Sequence, residues 1–307
     1  MKIIGVCVRG SLNVTRRASP CESSVVVQKV CSGCKMDLKA LVVDALAQRK
    51  TTALLIGGAG VAFLGFGLGY KYLRKPEKLV RVGVVSQLLI HPLKSGRAAS
   101  VALAECQKFG LKFGELQDRV FGDNIQGRDC GDEASRWLTD YLGTGQTFRL
   151  VHFEPQMKAR LSVETEPLFP KSEQVAYPDV GPVMLLSESS VKDLSSKLEK
   201  DVTVERFRPN IVISDCQAFE EDSWEELQIG SVRLQRVMSC GRCVFTTVDP
   251  ETGVISRKEP LETLKSYRLC KPSEKHIYKS APLFGQLHVV KQTGILQVGD
   301  VVYQIIR

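Results

Sequence analysis

Two cysteines separated by two residues are the first candidates for chemistry in this chain. They frame the tetrapeptide Cys-Gly-Arg-Cys at 240–243, which precedes a β-branched and aromatic run at 244–248 and a turn at 249–253. A Cys-x-x-Cys motif that exchanges disulfides opens a helix, where the helix dipole lowers the thiol pKa. The run after Cys243 instead favours a strand, which argues against disulfide exchange.

A metal is the other common partner of such thiols. A structural zinc site needs two ligand pairs, and the second Cys-x-x-Cys, Cys31 and Cys34, lies far upstream beyond an apolar span. Zinc is therefore disfavoured. From the residues alone, two interpretations stay open. Cys240 and Cys243 form a buried structural pair, or a single thiolate beside Arg242 binds the soft metal of an oxyanion-rich cofactor.

The elements that must position these thiols are mostly short strands. Apolar or alternating runs bounded by turn residues recur from residue 80 onward, which predicts a β-barrel or sandwich with mostly antiparallel connections. Hairpin turns are expected at Gly230-Ser231 and at Gly299-Asp300. The predicted strands cover residues 80–90, 101–106, 148–153, 183–186, 210–214, 228–238, 244–248, 286–290 and 296–306.

Three peripheral helices interrupt this pattern of strands. They are predicted at 132–142, at 188–198 and at 260–267. Ser187 is suited to the N-cap of the second helix. Pro260 is suited to the first turn of the third, where a missing N–H costs nothing.

An uncharged apolar stretch at 52–70 is just long enough to cross a bilayer core as a helix. Its glycines would weaken a soluble helix but are tolerated in membranes. Lys and Arg residues flank it on both sides, and no small-residue cleavage site of a secretory signal follows. We therefore predict one transmembrane helix, after a polar segment at 1–51 and before a basic juxtamembrane linker at 71–79.

Charge and cysteine content limit the partners and the compartment. The net charge of +8 is partly juxtamembrane, so anionic membrane lipids are the simplest partners. Lys and Arg are more frequent after the anchor than before it, which places the C-terminal domain in the cytosol. The 10 cysteines fit free thiols in a reducing compartment. Nucleic acid is not an expected partner, because no DNA- or RNA-binding motif is present.

Five motifs in order form a set far more specific than any one of them. They are His-Pro-Leu-Lys-Ser-Gly at 91–96, Asp-Arg-Val-Phe at 118–121, Gly-Arg-Asp-Cys-Gly at 127–131, Arg-Phe-Arg-Pro-Asn-Ile-Val at 206–212, and residues 240–253 with Ser-Arg-Lys-Glu-Pro at 256–260. From about Val80 onward the chain thereby resembles the mitochondrial amidoxime-reducing components. These are membrane-anchored members of the MOSC (molybdenum cofactor sulfurase C-terminal) superfamily.

The resemblance implies an α+β fold, a MOSC-like, mostly antiparallel β-barrel with peripheral helices, and a molybdenum–molybdopterin cofactor. One protein cysteine binds the molybdenum in such a site, and it corresponds to Cys243, which is also the catalytic residue. Cationic and amide groups suit the phosphate and pterin of the cofactor. The cofactor-binding positions of the family correspond to Lys94, Ser95, Arg119, Arg208, Asn210, Gly241, Arg242 and Cys243. Cys240 is expected to be structural.

The resemblance also implies a function, a place in the cell and partners. The chain is expected to reduce small N-hydroxylated compounds such as amidoximes, with nitrite or nitrate as further candidate substrates. Electrons would come from a cytochrome b5-class haem protein and NADH-cytochrome b5 reductase. The expected location is the outer mitochondrial membrane, with a single span and a cytosolic C-terminal domain.

The chain departs from the family between Arg119 and the turn at 127–131, which follow each other almost directly where the family has several more strands. Residues 80–127 are therefore expected to be a truncated N-terminal MOSC subdomain, and 128–307 the MOSC domain. The alternative function is that of a non-catalytic, membrane-tethered molybdenum-cofactor-binding protein, a shortened isoform. A sulfur-transfer protein is a third interpretation, although the lyase domain of the cofactor sulfurases is missing.

Overall fold

The computed structural model describes residues 7–8, 76–91, 96–112, 119–120, 123–124, 127–154 and 156–307. The predicted transmembrane helix at 52–70 and the candidates Lys94 and Ser95 lie outside these residues. Arg119 is described only as part of a strand. No helix within the described ranges is long and apolar enough to span a membrane.

The described strands are mostly short and lie largely in the ranges that the sequence predicts. In chain order they are β1 (Cys7–Val8), β2 (Lys78–Ile90), β3 (Ala99–Val101), β4 (Leu103–Gln107), β5 (Gly110–Lys112), β6 (Arg119–Val120), β7 (Asp123–Asn124), β8 (Arg128–Asp129), β9 (Phe148–Arg149), β10 (Val151–His152), β11 (Arg160–Leu161), β12 (Gln174–Val175), β13 (Val183–Ser187), β14 (Ile211–Ser214), β15 (Glu226–Ile229), β16 (Val232–Gly241), β17 (Leu283–Gln292), β18 (Gly294–Gln297) and β19 (Val301–Ile306).

The helices are peripheral to these strands and mostly brief. The α-helices are α1 (Asp132–Leu142), α2 (Ser162–Thr165), α3 (Glu188–Ser195), α4 (Leu261–Tyr267) and α5 (Lys275–Tyr278), and the 3₁₀-helices are Val204–Phe207, Glu220–Ser223, Val244–Thr247 and Pro272–Glu274. The three predicted helices are confirmed as α1, α3 and α4. Ser187 caps α3 as expected, because its hydroxyl accepts a hydrogen bond from the Ser190 amide at 3.1 Å.

The largest sheet closes on itself as the predicted barrel. Its hydrogen-bonded strand order is β14-β13-β17-β16-β15-β19-β2-β3, and an additional pairing of β14 with β2 completes the ring. Within this sheet β13 and β14 are parallel, and the other pairs are antiparallel. Helix α3 makes the crossover that a parallel pair requires. The hairpin turn at Gly230-Ser231 is confirmed by the pairing of Ile229 with Val232.

Strand β13 shows how the barrel wall separates two apolar cores. Val183 and Leu185 pack in the cluster that contains Trp224. Met184 and Leu186 pack in the second cluster, beneath the helices. Successive side chains of a strand point to opposite faces. The strand is therefore apolar at successive positions because both of its faces are buried.

Two local predictions are wrong. Residues Val244–Thr247 form a 3₁₀-helix instead of a strand, because the hydroxyls of Thr246 and Thr247 donate to the carbonyls of Cys243 and Val244 at 2.9 and 2.7 Å. Such local hydrogen bonds compete with a sheet ladder.

The turn at Gly299-Asp300 is not a hairpin turn. It joins strands that belong to different sheets, since β18 pairs with β4 whereas β19 pairs with β15 and β2. The predicted N-terminal subdomain supplies β2 and β3 to the barrel sheet, and its β4 and β5 form a sheet with β18. The division of the chain at residue 127 stays a prediction.

Candidate functional site

The candidate site lies where β16 ends and the chain turns into the 3₁₀-helix Val244–Thr247. Gly241 still pairs with Leu283 of β17, and the amide of Arg242 donates to the Pro282 carbonyl at 2.8 Å. Cys243 follows at the N-cap of the 3₁₀-helix and is exposed. The end of a strand in the barrel wall therefore presents one accessible thiol.

The Arg242 side chain is buried and binds backbone carbonyls. Its Nε donates to the Phe284 oxygen at 2.7 Å, and its Nη1 donates to the Phe207 oxygen at 2.9 Å. The guanidinium also lies over the Phe207 ring, with 5.6 Å between its carbon and the ring centroid. Nη2 lies 3.8 Å from the sulfur of Met184. The carbonyls thus fix a positive charge inside the protein.

This charge is poorly compensated. Burial lowers the pKa of Arg242, and among the described residues the groups that favour its charged form are the thiols of Cys240 and Cys243, with no carboxylate among them. Burial raises the pKa of Cys240, and nearby Arg242 opposes that rise. A buried cation without an anion is costly in free energy. The arrangement therefore favours an anionic ligand next to Arg242.

Gly285 gives Arg242 the room to lie there. Its φ is +82°, and a Cβ at this position would lie 3.2 Å from Arg242 Nη2 and would overlap the Met184 methyl group. A side chain would be strained by the backbone conformation and would displace the guanidinium. The close approach of β17 to Arg242 therefore requires a glycine at position 285.

A second arginine, the half-buried Arg208, lies at the end of the 3₁₀-helix Val204–Phe207. It adopts a left-handed conformation with φ of 55°, and its Nη1 donates to the Gly96 carbonyl. Burial lowers the pKa of Arg208, while Asp179 opposes this effect. Gly96 directly follows Ser95, so Arg208 contacts the backbone adjoining the segment that contains the two cofactor candidates outside the described residues.

His91 lies beside Arg208 at the other end of that segment. Its Nε2 is 2.9 Å from the Pro209 carbonyl oxygen. Burial and then the Arg208 charge lower the pKa of His91 to about 4. Because a carbonyl only accepts, the neutral ring carries its hydrogen on Nε2. Nδ1 is then a buried acceptor, and the described part of the chain gives it no hydrogen-bond partner.

Asn210 has a structural task within the site. Its side-chain Oδ1 accepts a hydrogen bond from the backbone amide of Met184 at 2.9 Å. Its backbone amide donates a hydrogen bond to the Met184 carbonyl at 2.7 Å. These bonds fix the start of β14 against β13. Because Oδ1 of the side chain already accepts this hydrogen bond, the side-chain amide nitrogen is the group that would donate a hydrogen bond to a ligand.

Arg206 and the turn after Cys243 form a further contact, which the sequence does not predict. The Arg206 side chain is 12% exposed and pairs with Asp249 at 3.1 Å. A second link to the same turn is the exposed pair between Arg97 and Glu251, at 2.6 Å. No local signal could have identified the Arg206 contact, because it joins residues 43 positions apart.

The structure thus brings Arg208, Arg242 and Cys243 to one place through the 3₁₀-helix Val204–Phe207. Gly241 is exposed beside them, and an added Cβ would come as close as 3.3 Å to the Ala281 Cβ. Strand β6, which contains Arg119, pairs with β7, and the strand pairings of the described residues do not connect it to the barrel. The roles of Arg119, Lys94 and Ser95 stay predictions.

The donor set fits a particular kind of ligand. Within the ranges that the structure describes, no group of three or more His, Cys, Asp and Glu side chains could hold a bare metal ion. One exposed thiol beside the buried Arg242 and the half-buried Arg208 suits a metal that arrives on an anionic organic carrier and needs a single soft protein ligand. The residues present therefore fit a cofactor of the molybdenum–molybdopterin type.

Comparison with known proteins gives consistent results. A family model described as MOSC domain matches residues 172–303. The chain is 47% identical over 327 residues to "Mitochondrial amidoxime-reducing component 1" of Danio rerio, with 88% of this chain and 99% of that protein covered. It is 43% identical to the Homo sapiens protein of the same name over 288 residues, with 75% and 85% covered.

A similarity to a solved structure, the YuaD protein from Bacillus subtilis, covers 76% of this chain and 100% of that chain. At a TM-score of 0.39 and 11% identity, it is too weak to support an argument.

The alignment with the Danio rerio protein runs over 327 residues, which exceeds the 307 of this chain. That alignment therefore includes positions of the relative with no counterpart here.

Proposed function

The chain belongs to the family of mitochondrial amidoxime-reducing components, and from this premise we propose that it is a molybdenum-dependent reductase of N-hydroxylated compounds. The observation that carries the proposal is the buried guanidinium of Arg242 next to the exposed thiol of Cys243. In the described residues the hydrogen bonds of this cation go to two backbone carbonyls and to the Met184 sulfur. An anionic cofactor would supply the missing negative charge.

The residues of the site would hold the cofactor in distinct ways. Cys243 would supply the soft thiolate that binds the molybdenum. Arg242 and Arg208 would neutralise its negative groups from positions already fixed by backbone carbonyls, so little side-chain entropy is lost on binding. Asn210 would donate through its amide nitrogen. Gly241 would leave space beside the metal ligand.

When bound, the molybdenum–molybdopterin cofactor supplies the redox chemistry that no protein side chain provides. Reduction of an amidoxime to the amidine consumes two electrons and two protons and releases water. The electrons would come singly from a cytochrome b5-class haem protein, itself reduced by NADH-cytochrome b5 reductase. The predicted anchor would raise the effective concentration of this donor by holding both proteins on one outer mitochondrial membrane surface.

The experiment is reduction of benzamidoxime by the full chain, loaded with cofactor and reconstituted with cytochrome b5 and its NADH-dependent reductase. We expect NADH-dependent formation of benzamidine by the unaltered protein and none by Cys243→Ala. The matched control is Cys106→Ala, which removes a buried thiol from the barrel core. Full activity of Cys243→Ala would contradict the role of this cysteine.

A second candidate function is that of a non-catalytic, membrane-tethered molybdenum-cofactor-binding protein. It is supported by the alignment that exceeds the length of this chain, since lost strands would expose apolar surface and loosen a pocket. The same assay separates the two functions. Stoichiometric molybdenum without benzamidine formation favours the binding protein, whereas turnover excludes it.

A further inference from the structure

Arg206 links two segments of the site through a side chain that is only 12% exposed. It lies in the 3₁₀-helix Val204–Phe207, and its side chain reaches the chain beyond Cys243. Nη1 donates to the Val248 carbonyl oxygen and Nη2 donates to Asp249 Oδ2, each at 3.1 Å. A guanidinium that uses two nitrogens in this way fixes both the position and the orientation of its partner segment.

Asp249 passes this constraint on to the whole turn. Its Oδ1 accepts hydrogen bonds from the amides of Glu251 and Thr252 at 3.0 and 2.9 Å. Its own carbonyl accepts from the Gly253 amide at 2.8 Å. These amides hold the pKa of Asp249 below its usual range. The Asp249 carboxylate therefore holds the turn together, and it is also the group that Arg206 binds.

A second arginine, Arg242, joins the same two segments, but it lies in the segment of Cys243 and binds the segment of Arg206. Arg242 Nη1 donates to the Phe207 carbonyl at 2.9 Å, so each segment sends an arginine to a carbonyl of the other. We propose that Arg206 is a positioning residue that, together with Arg242, fixes the Cys243 thiol relative to the cofactor-binding arginines. The part played by Cys243 rests on the proposed function, but the constraint on its segment does not.

The turn also offers a matched control. Arg97 pairs with Glu251 on the same turn at 2.6 Å, but the two side chains are 70% and 66% exposed. Exposed pairs contribute little, because water screens them. Arg206→Met and Arg97→Met each remove an arginine that pairs with this turn, the first 12% exposed and the second 70% exposed. Only Arg206→Met should loosen the segment that contains Cys243.

The test uses cofactor-free full-length protein and the rate of alkylation by iodoacetamide. Cys240 is the probe, because it is half-buried three residues before Cys243 and packs against the core beneath the helices. Cys106, buried in the other core, reports unfolding of the whole barrel. Trypsin cleaves after Arg236 and Arg242, so the thiols of Cys240 and Cys243 are measured on separate peptides.

We expect Arg206→Met to raise the alkylation rate of Cys240 by about tenfold, as loss of a charge-assisted hydrogen bond implies. The rate at Cys106 should stay unchanged. Arg206→Lys keeps the charge that pairs with Asp249 but lacks the second nitrogen that reaches Val248, so it should restore only part of the protection. Arg97→Met should leave all rates unchanged.

Three results would overturn the proposal. They are an unchanged Cys240 rate in Arg206→Met, an equal rise at Cys240 and Cys106, and an equal effect of Arg97→Met. In protein loaded with molybdenum and reduced to Mo(V), Arg206→Met should also alter the electron paramagnetic resonance signal of the metal at unchanged metal content. Because alkylation needs no cofactor, a chain that binds no molybdenum would refute the proposed function without affecting this result.

Discussion

Replacement of Arg242 by Met removes a buried cation and leaves two carbonyls without their donors. The Phe284 and Phe207 oxygens now accept from Arg242 at 2.7 and 2.9 Å. Each buried acceptor left unsatisfied costs about 1–3 kcal/mol. Removal of a desolvated charge offsets part of this cost. We expect the free energy of unfolding of the cofactor-free protein to fall by about 2–4 kcal/mol.

The assay is urea unfolding of the full-length chain in detergent, with molybdenum content measured on parallel samples. Arg242→Lys keeps the charge but lacks the planar fork that reaches both carbonyls. It should therefore recover part of the molybdenum and little of the stability. Arg97→Met is the exposed control. An Arg242→Met protein that retains both its stability and its molybdenum would refute the assignment of Arg242 as a buried cofactor contact.

Three further predictions concern His288, Gly285 and Gly241. Burial lowers the pKa of His288 to about 4. In the unfolded chain the pKa of this histidine is about 6.5, so as the pH falls the unfolded chain takes up the proton before the folded protein does. Stability present above pH 6.5 is then lost as the pH falls towards 4, by up to about 3 kcal/mol. His288→Gln should flatten that dependence in urea midpoints at pH 7.5 and 5; an unchanged slope would contradict it. Gly285→Ala should destabilise by about 2–4 kcal/mol because the added methyl group overlaps Met184 at a φ of +82°; thermal unfolding checks this, and a change within experimental error would contradict it. Gly241→Ser should change stability by less than about 1 kcal/mol but lower the molybdenum content, because the added side chain takes up space beside Cys243; an unchanged molybdenum content would contradict the role of Gly241.

The elements that the sequence predicted correctly are those whose causes are local. Helix α1 has the predicted bounds, Asp132–Leu142. The hairpin at Gly230-Ser231 follows from a glycine that adopts a φ of +55°. Strand β13 is apolar at successive positions, as expected for a strand buried on both faces.

The incorrect predictions have causes distant in sequence or hidden in side-chain hydroxyls. The residues after Cys243 have high strand propensity, yet two threonine hydroxyls bind the preceding carbonyls and produce a 3₁₀-helix. The turn at Gly299-Asp300 looks like a hairpin turn, but the strands on its two sides pair with different partners. Sequence alone does not report which strand lies beside another.

The site shows the same division. Residue types and a family resemblance led to Cys243, Arg242 and Arg208, which the structure places around the 3₁₀-helix Val204–Phe207. Neither pattern nor spacing could identify the contact of Arg206 with Asp249 or the space that Gly285 provides. Both depend on segments that become neighbours only when the barrel closes.

The central claim is that one exposed thiol next to Arg242 and Arg208 holds a molybdenum cofactor. The most direct test is the molybdenum content per chain of the purified full-length protein, measured by plasma mass spectrometry beside Cys243→Ser. The account predicts near-stoichiometric molybdenum in the unaltered protein and a large fall in the variant. Equal molybdenum in the two proteins, or none in either, would contradict it.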